Sequence, residues 1–467
     1  MLINFFYTLK KARVPVSIKE LLDLMSAMEH NLAFGSVDDF YLLSRTCLIK
    51  DEKFYDRFDK AFGAYFLTLN RNKKSVSLDL KSQEGLQVFY ELVKSADVVL
   101  NNFSAGVVKK LKVDFASLKK INPRIITCSI TGFGETGPHS SRPAYDQIVQ
   151  AYSGGMSVTG PDVNTPTRAG IPIGDLGSGL YGVIGILSAL LSREQTNIGQ
   201  HIDMSLLDVQ ISLLNYMATM QTLSGIDPEP IGNAHFVHVP YNSFTTQNGF
   251  VVIAVITDAF WEAFLDVIDV ETLRDPKFSK SVDRLKNQEF IESEINKVLS
   301  TKPSNYWIKA FNDAKVPCGP INTFSQALSD EQVLHRNMLV EVEHPDGGKV
   351  KMPGNPVKLS YTDEVSYSPA PHLGAHTKKI LKEFRVKDLA NYKEGNEFGL
   401  EIFKDIKGNK IVALSMEDTS PTFVAINDLP RIIKNGELFI PYFSYAAMKQ
   451  VADASPATLE QCQKRTY

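Results

Sequence analysis

The stretch RAGIPIGDLGSGLYGVIGILSALLSREQTNIGQHID, Arg168 to Asp203, decides how the rest of the chain is read. A short apolar run, Ala169 to Ile173, meets Gly174 and a single carboxylate, Asp175. Gly177, Ser178 and Gly179 follow, and Leu180 to Leu191 is apolar nearly all round. The pattern predicts a strand or extended arm, a tight turn and then a buried helix, with Asp175 beside the helix N-terminus. Free N–H groups there stabilise an anion, and the glycines leave room for another molecule's backbone to approach. Two uses fit such a carboxylate: a nucleophile, or a plain helix cap of the kind Ser, Thr, Asp and Asn provide.

At 467 residues the chain is long enough for two or three domains, and its hydrophobic content of 43% supplies a sizeable core. A formal charge of −3 gives no electrostatic reason to expect nucleic acid or an anionic membrane surface as a partner. Cys47, Cys128, Cys318 and Cys462 show neither metal-ligand spacing nor a paired framework, so free thiols in a reducing, cytoplasmic setting are expected. Cys318, between Pro317 and Gly319, is expected to be structural, in a rigid turn. No metal is expected: His335, His344, His372 and His376 have no repeated spacing. Met1 to Phe6 is apolar but short and lacks a small-residue cleavage site, and Leu180 to Leu191 is too short to span a bilayer.

Along the chain, residues 1–66 predict a charge-rich helical unit, with Phe54, Tyr55, Phe58 and Phe62 at core spacing. From Leu69 the character changes to strand and helix alternation: SVSLDL, KSQEGLQVFYELVKSA, DVVLNNF, AGVVKKL and RIITCSITGFG. That is α/β architecture on a parallel sheet, whose ligand loops lie at the carboxyl ends of the strands, here Lys81–Glu84, Asn101–Ser104 and Thr131–Pro138. Gly132, Gly134 and Gly137 precede no immediate helix, which argues against a dinucleotide fingerprint. Residues 384–467 carry strand patterns in GNKIVALSM, TFVAIN and LFIPYF and helical ones in LPRIIKNG and SYAAMKQVADA, an unassigned α+β tail.

Eight blocks carry a resemblance: LNRNKKSVSLDLKSQEG, ADVVLNNFSAGVVKKL, INPRIITCSITGFGETGP, RPAYDQIVQAYSGGMSVTG, GDLGSGLYGVIGILSALLSREQTNIGQHIDMSLLD, GNAHFVHVPY, VPCGPINT and LGAHTKKIL. In this order they resemble the family III CoA-transferases over about residues 64–383, and within them the succinyl-CoA:dicarboxylate branch. FFYTLKKARVPVSIKELLDLM and DDFYLLSRTCLIKDEKFYDRFDKAF resemble the N-terminus of CoxE-like proteins. The resemblance implies a Rossmann-like large domain (67–225) without its usual first βαβ unit, a smaller α+β domain (226–325) and a return to the large domain (326–383), flanked by the helical segment (1–66) and the tail (384–467). The join falls at Ala64-Tyr65-Phe66.

The resemblance also places chemistry. Its catalytic aspartate falls on Asp175, which attacks an acyl-CoA thioester to give an aspartyl anhydride and then an aspartyl-CoA thioester, from which the incoming acid takes CoA. CoA thioester is thus a substrate, with no permanently bound cofactor, and a small carboxylic or dicarboxylic acid is the other. Asp146 matches a second acid that orients groups at the site, or else is an ordinary helix-start aspartate. Gly232 and Asn233 open the GNAH loop, the family's loop over the site or an ordinary turn. Leu78, Asp79, Leu80, Lys81, Asn102, Phe103 and Lys110 match CoA-contacting positions, although Lys81 and Lys110 would also be unremarkable on a surface. Tyr145 stands where related racemases carry a histidine base, which argues against proton abstraction. An interlocked homodimer is implied. The competing reading is a non-catalytic fusion, or a truncated transferase lacking part of its CoA site.

Overall fold

The computed structural model describes residues 67–344, 348–362, 366–372, 374–383, 398–404 and 410–416. The helical reading of residues 1–66 and most of the tail lie outside them. The chain divides into two compact units, one of residues up to 153, 170–218 and from 328 on, the other of 154–169 and 219–327.

In the first unit the elements run β1 (Lys74–Ser77), α1 (Gln83–Val93), β2 (Val98–Asn101), α2 (Val107–Lys110), β3 (Ile126–Thr131), α3 (Asp146–Tyr152), α4 (Ile173–Thr196), β4 (His201–Ser205) and α5 (Leu206–Leu214). β2, β3 and β4 pair in parallel, Val98 opposite Ile126 and Thr127 opposite His201. VVLN and ITCSIT are buried at every position, as strands covered on both faces must be. One face sets Val98, Leu100, Ile126, Cys128 and Ile130 against Val183, Ile186 and Leu190 of α4. The other sets Val76, Leu78 and Val99 against Phe89, Leu92 and Val93 of α1.

Although α1 joins β1 directly to β2, the two strands are not neighbours in the sheet. The segments Phe398–Lys404 and Lys410–Met416 form an antiparallel hairpin between them, the first antiparallel to β1 and the second parallel to β2. The strand expected in GNKIVALSM therefore forms inside this sheet, not in a separate tail domain. On its far edge β1 is closed by side chains: the Ser75 and Ser77 amides donate to His376 Nδ1 (3.2 Å) and Thr377 Oγ1 (3.1 Å).

Of the two readings offered for Ala169–Ile173, strand or extended arm, the strand does not form, and the turn expected in the glycine-rich segment is corrected: α4 already begins at Ile173 and contains Gly174, Asp175, Gly177, Ser178 and Gly179. Each interior glycine costs a helix roughly 1 kcal/mol relative to alanine. Packing overrides that cost here, since a Cβ on Gly177 would lie 3.1 Å from both Val209 and Leu213 of α5. Nor is the helix buried all round: Leu180, Ile184 and Leu191 are 53%, 57% and 66% exposed along one face. Its 24 residues are long and apolar enough to cross a membrane by length and composition, against the expectation from Leu180–Leu191 alone, while 56% of its most apolar window is buried in the protein.

The second unit is a three-stranded antiparallel sheet of β5 (Tyr241–Thr246), β6 (Gly249–Ala254) and β7 (Cys318–Pro320) with helices packed on it. Its core gathers Val251, Ile253, Trp261, Phe264, Ile291, Ile295, Trp307 and Phe311. Cys318 sits in β7 opposite Ile253 and not in a turn. Burial pushes its thiol pKa up.

Candidate active site

Helix α4 carries the chain from β3 back to the parallel strand β4. A connection of this kind starts at the carboxyl edge of the sheet, where open α/β folds bind their ligands. Asp175 is the third residue of α4 and is wholly buried. It does not cap the helix, for the N-cap position is Pro172, which offers no side-chain acceptor. Another element supplies the acceptor: Asp146, at the start of α3, takes a 2.8 Å hydrogen bond on Oδ1 from the Gly174 amide and a 3.4 Å one from the Asp175 amide. Its Oδ2 accepts from Gln150 Nε2 at 2.6 Å. Asp146 thus caps α4 from a neighbouring helix, more than the helix-start role its sequence position suggests. Position 174 is tight, because a Cβ there would lie 3.0 Å from Asp146 Oδ1 and Val149 Cγ2 and 3.2 Å from Gln210 Nε2.

The positions matched to CoA contacts occupy the turns that leave β1 and β2. The side chains of Leu78, Leu80 and Phe103 are buried in the core. Asp79 Oδ1 accepts from the Lys81 amide (2.9 Å), and Ser82 caps α1 while its hydroxyl donates to Asp79 O (2.8 Å). That turn lies so close to α1 that a Cβ on Gly85 would be 1.9 Å from Asp79 O. After β2, Asn102 Nδ2 donates to Ile130 O (2.5 Å), and the Phe103 amide donates to Asn101 Oδ1 (3.2 Å). Lys81 and Lys110 are exposed, Lys110 at the end of α2. Tyr145, half-buried, is the N-cap residue of α3.

Gly232 and Asn233 are exposed in the second unit. Gly232 has φ +61° and donates its amide to Gly160 O (2.9 Å), while Asn233 Nδ2 donates to Ser243 Oγ (3.0 Å). In the same loop the His235 ring stacks on Phe236 and Tyr241, with centroids at 4.6 and 5.0 Å. His235 Nδ1 accepts from the amides of Val237 and His238 (3.0 and 3.2 Å), so in the neutral ring the proton resides on Nε2. Burial and the neighbouring His238 hold its pKa below the usual imidazole value.

A polar network at β3 and β4 escaped the sequence reading because its members lie far apart in the chain. Glu135 Oε2 meets His201 Nε2 at 3.0 Å, His201 Nδ1 meets Thr127 Oγ1 at 2.7 Å, and Asp203 accepts the Glu135 amide on both oxygens at 3.1 Å. The hydrogen bond from His201 holds the Glu135 carboxyl below its usual range, whereas burial raises that of Asp203. The signs therefore oppose. A depressed Glu135 stabilises the fold above its unfolded pKa, and that stabilisation is lost as pH falls through the folded value; a raised Asp203 stabilises on protonation and loses this as pH rises. Glu135→Gln should lower the melting temperature near neutrality, and its deficit relative to the native chain should shrink as pH falls from about 4.5 down through the lower folded value. A deficit independent of pH in calorimetry would remove Glu135 from the acid dependence.

Cys128 is fully buried, and burial pushes its thiol up to about 12, so it is no nucleophile at neutral pH. Among the described residues no group of three or more His, Cys, Asp or Glu side chains is arranged to hold a metal.

The sequence profile of CoA-transferase family III matches residues 51–377, and that of the CoxE N-terminal helical bundle domain matches residues 2–69. The chain is 39% identical over 323 residues to the acetyl-CoA:oxalate CoA-transferase of Acetobacter aceti, covering 68% of this chain and 82% of that one. It is 34% identical over 334 residues to the succinyl-CoA:glutarate CoA-transferase of Mus musculus, covering 71% and 76%. The crystal structure of a CAIB/BAIF family protein from Brucella suis superposes with a TM-score of 0.63 at 34% identity, over 69% of this chain and 84% of that one. This chain belongs to CoA-transferase family III and is an enzyme of that class.

Proposed function

We propose that the chain transfers CoA between short dicarboxylic acids through a covalent intermediate on Asp175. The observation that carries this reading is a fully buried carboxylate in the first turn of α4, at the carboxyl edge of the sheet, with its backbone held by Asp146. Asp175 Oδ attacks the thioester carbonyl; a C–O bond forms, the C–S bond breaks and CoA leaves as thiolate. The thiolate then attacks the Asp175 carbonyl of the anhydride, releasing the first acid and leaving CoA on Asp175, and the incoming carboxylate removes it by the same two steps in reverse. The first amides of α4 are already bonded, those of Gly174 and Asp175 to Asp146, so the helix favours the anionic states along this path only through its dipole. Asp146 acts as a positioning residue, fixing the start of the helix that carries the nucleophile.

The succinyl-CoA:glutarate relative supports succinyl-CoA as donor and glutarate as acceptor, and the acetyl-CoA:oxalate relative supports oxalate as another acceptor. CoA is held at the turns Leu78–Lys81 and Asn102–Phe103, with Lys110 and Tyr145 as the further contacts that the family resemblance implies. The exposed apolar face of α4 (Leu180, Ile184, Leu191) is a surface that a second copy would cover in an interlocked homodimer. A cytoplasmic setting, with neither membrane nor nucleic acid as partner, belongs to the same reading.

After incubation with succinyl-CoA and rapid quenching, mass spectrometry of the peptide containing Asp175 should show the succinyl or CoA adduct, convertible by hydroxylamine to the aspartyl hydroxamate. A folded sample that turns over succinyl-CoA without labelling this peptide would refute the mechanism.

A further inference from the structure

Beside Gly174 lies a buried amide to which the mechanism gives no role. Gln210 is 5% exposed in the second turn of α5, between the contacts that helix makes with α3 and α4. Its Nε2 is buried and has no hydrogen-bond partner among the described residues. The atom approaches the start of α4 closely, 3.2 Å from where a Cβ on Gly174 would stand, next to Asp146 Oδ1 at 3.0 Å from the same point. Glycine at 174 and at 177 is what admits α5 this near, since Val209 and Leu213 would each stand 3.1 Å from a Cβ on Gly177.

A buried donor left unmade costs a fold about 1–3 kcal/mol, whereas an apolar side chain of similar size would avoid that cost. Placing an amide here makes physical sense if it meets an acceptor that arrives with the substrate. We propose that Gln210 is a catalytic donor: Nε2 hydrogen-bonds the oxyanion that forms when an acyl group passes to or from Asp175. No proton moves and no bond to Gln210 forms. The amide is held by packing before the substrate enters, so it need not reorganise as charge develops, the condition under which such a donor contributes most. Asp146 and Gln210 then divide the work at the start of α4, the first binding the helix amides and the second left for the reacting oxygen. The inference rests on Asp175 carrying the intermediate.

Gln210→Leu separates a catalytic donor from a structural amide, because the two roles move stability in opposite directions. The expected result is a kcat about 100-fold lower, an unchanged KM for succinyl-CoA, and a melting temperature equal to or above that of the native chain. The adduct on Asp175 should still form, at a correspondingly slower single-turnover rate. Gln210→Glu keeps the shape but donates only when protonated, so its kcat relative to the native chain should rise as pH falls. Full kcat in folded Gln210→Leu, or a parallel loss of kcat and melting temperature, would overturn the proposal. If the native chain itself forms no adduct, the fault lies with Asp175 as nucleophile; if it labels and Gln210→Leu labels equally fast, the fault lies with Gln210.

Discussion

Asp175→Asn should retain its fold and lose CoA transfer by at least about 10⁴-fold, the scale seen when a covalent nucleophile is removed. The substitution keeps the shape of the side chain and its place in the first turn of α4, so the packing around Gly174 and Gly177 is undisturbed. What disappears is the anion, and with it both the anhydride and the thioester on this residue. Asp175→Glu makes a sharper test. It restores the carboxylate but carries it one methylene further from the backbone, in a site with no exposed surface. Displacements near 1 Å cost about 10²-fold where reacting groups must be aligned, so Glu at 175 should remain far below the native rate. Steady-state transfer with succinyl-CoA, alongside thermal melts, measures both. Native-level transfer by well-folded Asp175→Asn would end the assignment.

The same residues show what a sequence reveals and what it conceals. The strands at 98–101 and 126–131 were legible because continuous apolar runs between turn signals admit few other readings, and they are buried at every position. Asp175 was legible as a lone acid among glycines. The start of its helix was not, because GDLGSG reads locally as a turn and becomes helical through the close approach of Val209 and Leu213. Asp146 as the cap of α4 was invisible for a different reason: the donor amides lie at Gly174 and Asp175, on another helix. Gln210 gave no signal, since a single amide in an apolar helix looks like any other until its surroundings are known. The tail is unassigned from sequence because its strand patterns have no counterpart among the blocks of the resemblance, yet Lys410–Met416 pairs with β2. Sheet partners distant in sequence leave no periodic trace in either strand.

Arg193→Met should cost up to about 3–5 kcal/mol, the penalty for removing one member of a buried ion pair, reduced because the Asp97 side chain is 22% exposed. Arg193 is 1% exposed in the last turn of α4, and its Nη2 meets Asp97 Oδ1 at 2.8 Å. Nη1 donates to the carbonyls of Asp97 (3.4 Å) and Arg124 (3.2 Å), the residues that lead into β2 and β3. One guanidinium therefore ties the C-terminal end of the helix to the amino edges of two strands, as Asp146 ties its N-terminal end to α3. The corner is tight: a Cβ on Gly199 would lie 1.9 Å from Ile125 O, so the backbone has little freedom to close over a missing side chain. Methionine fills part of the volume but leaves the Asp97 carboxylate and two carbonyls without the guanidinium. Lysine restores the charge and lacks the fork that reaches three acceptors, so Arg193→Lys should fall between the two. At about 2–4 °C per kcal/mol for a domain of this size, the methionine variant should melt roughly 10 °C lower. Adding Asp97→Leu to Arg193→Met should recover part of the loss, because it removes the carboxylate that has lost its guanidinium. A double variant no more stable than Arg193→Met would mean that the carbonyl contacts, and not the ion pair, hold this end of α4 in place.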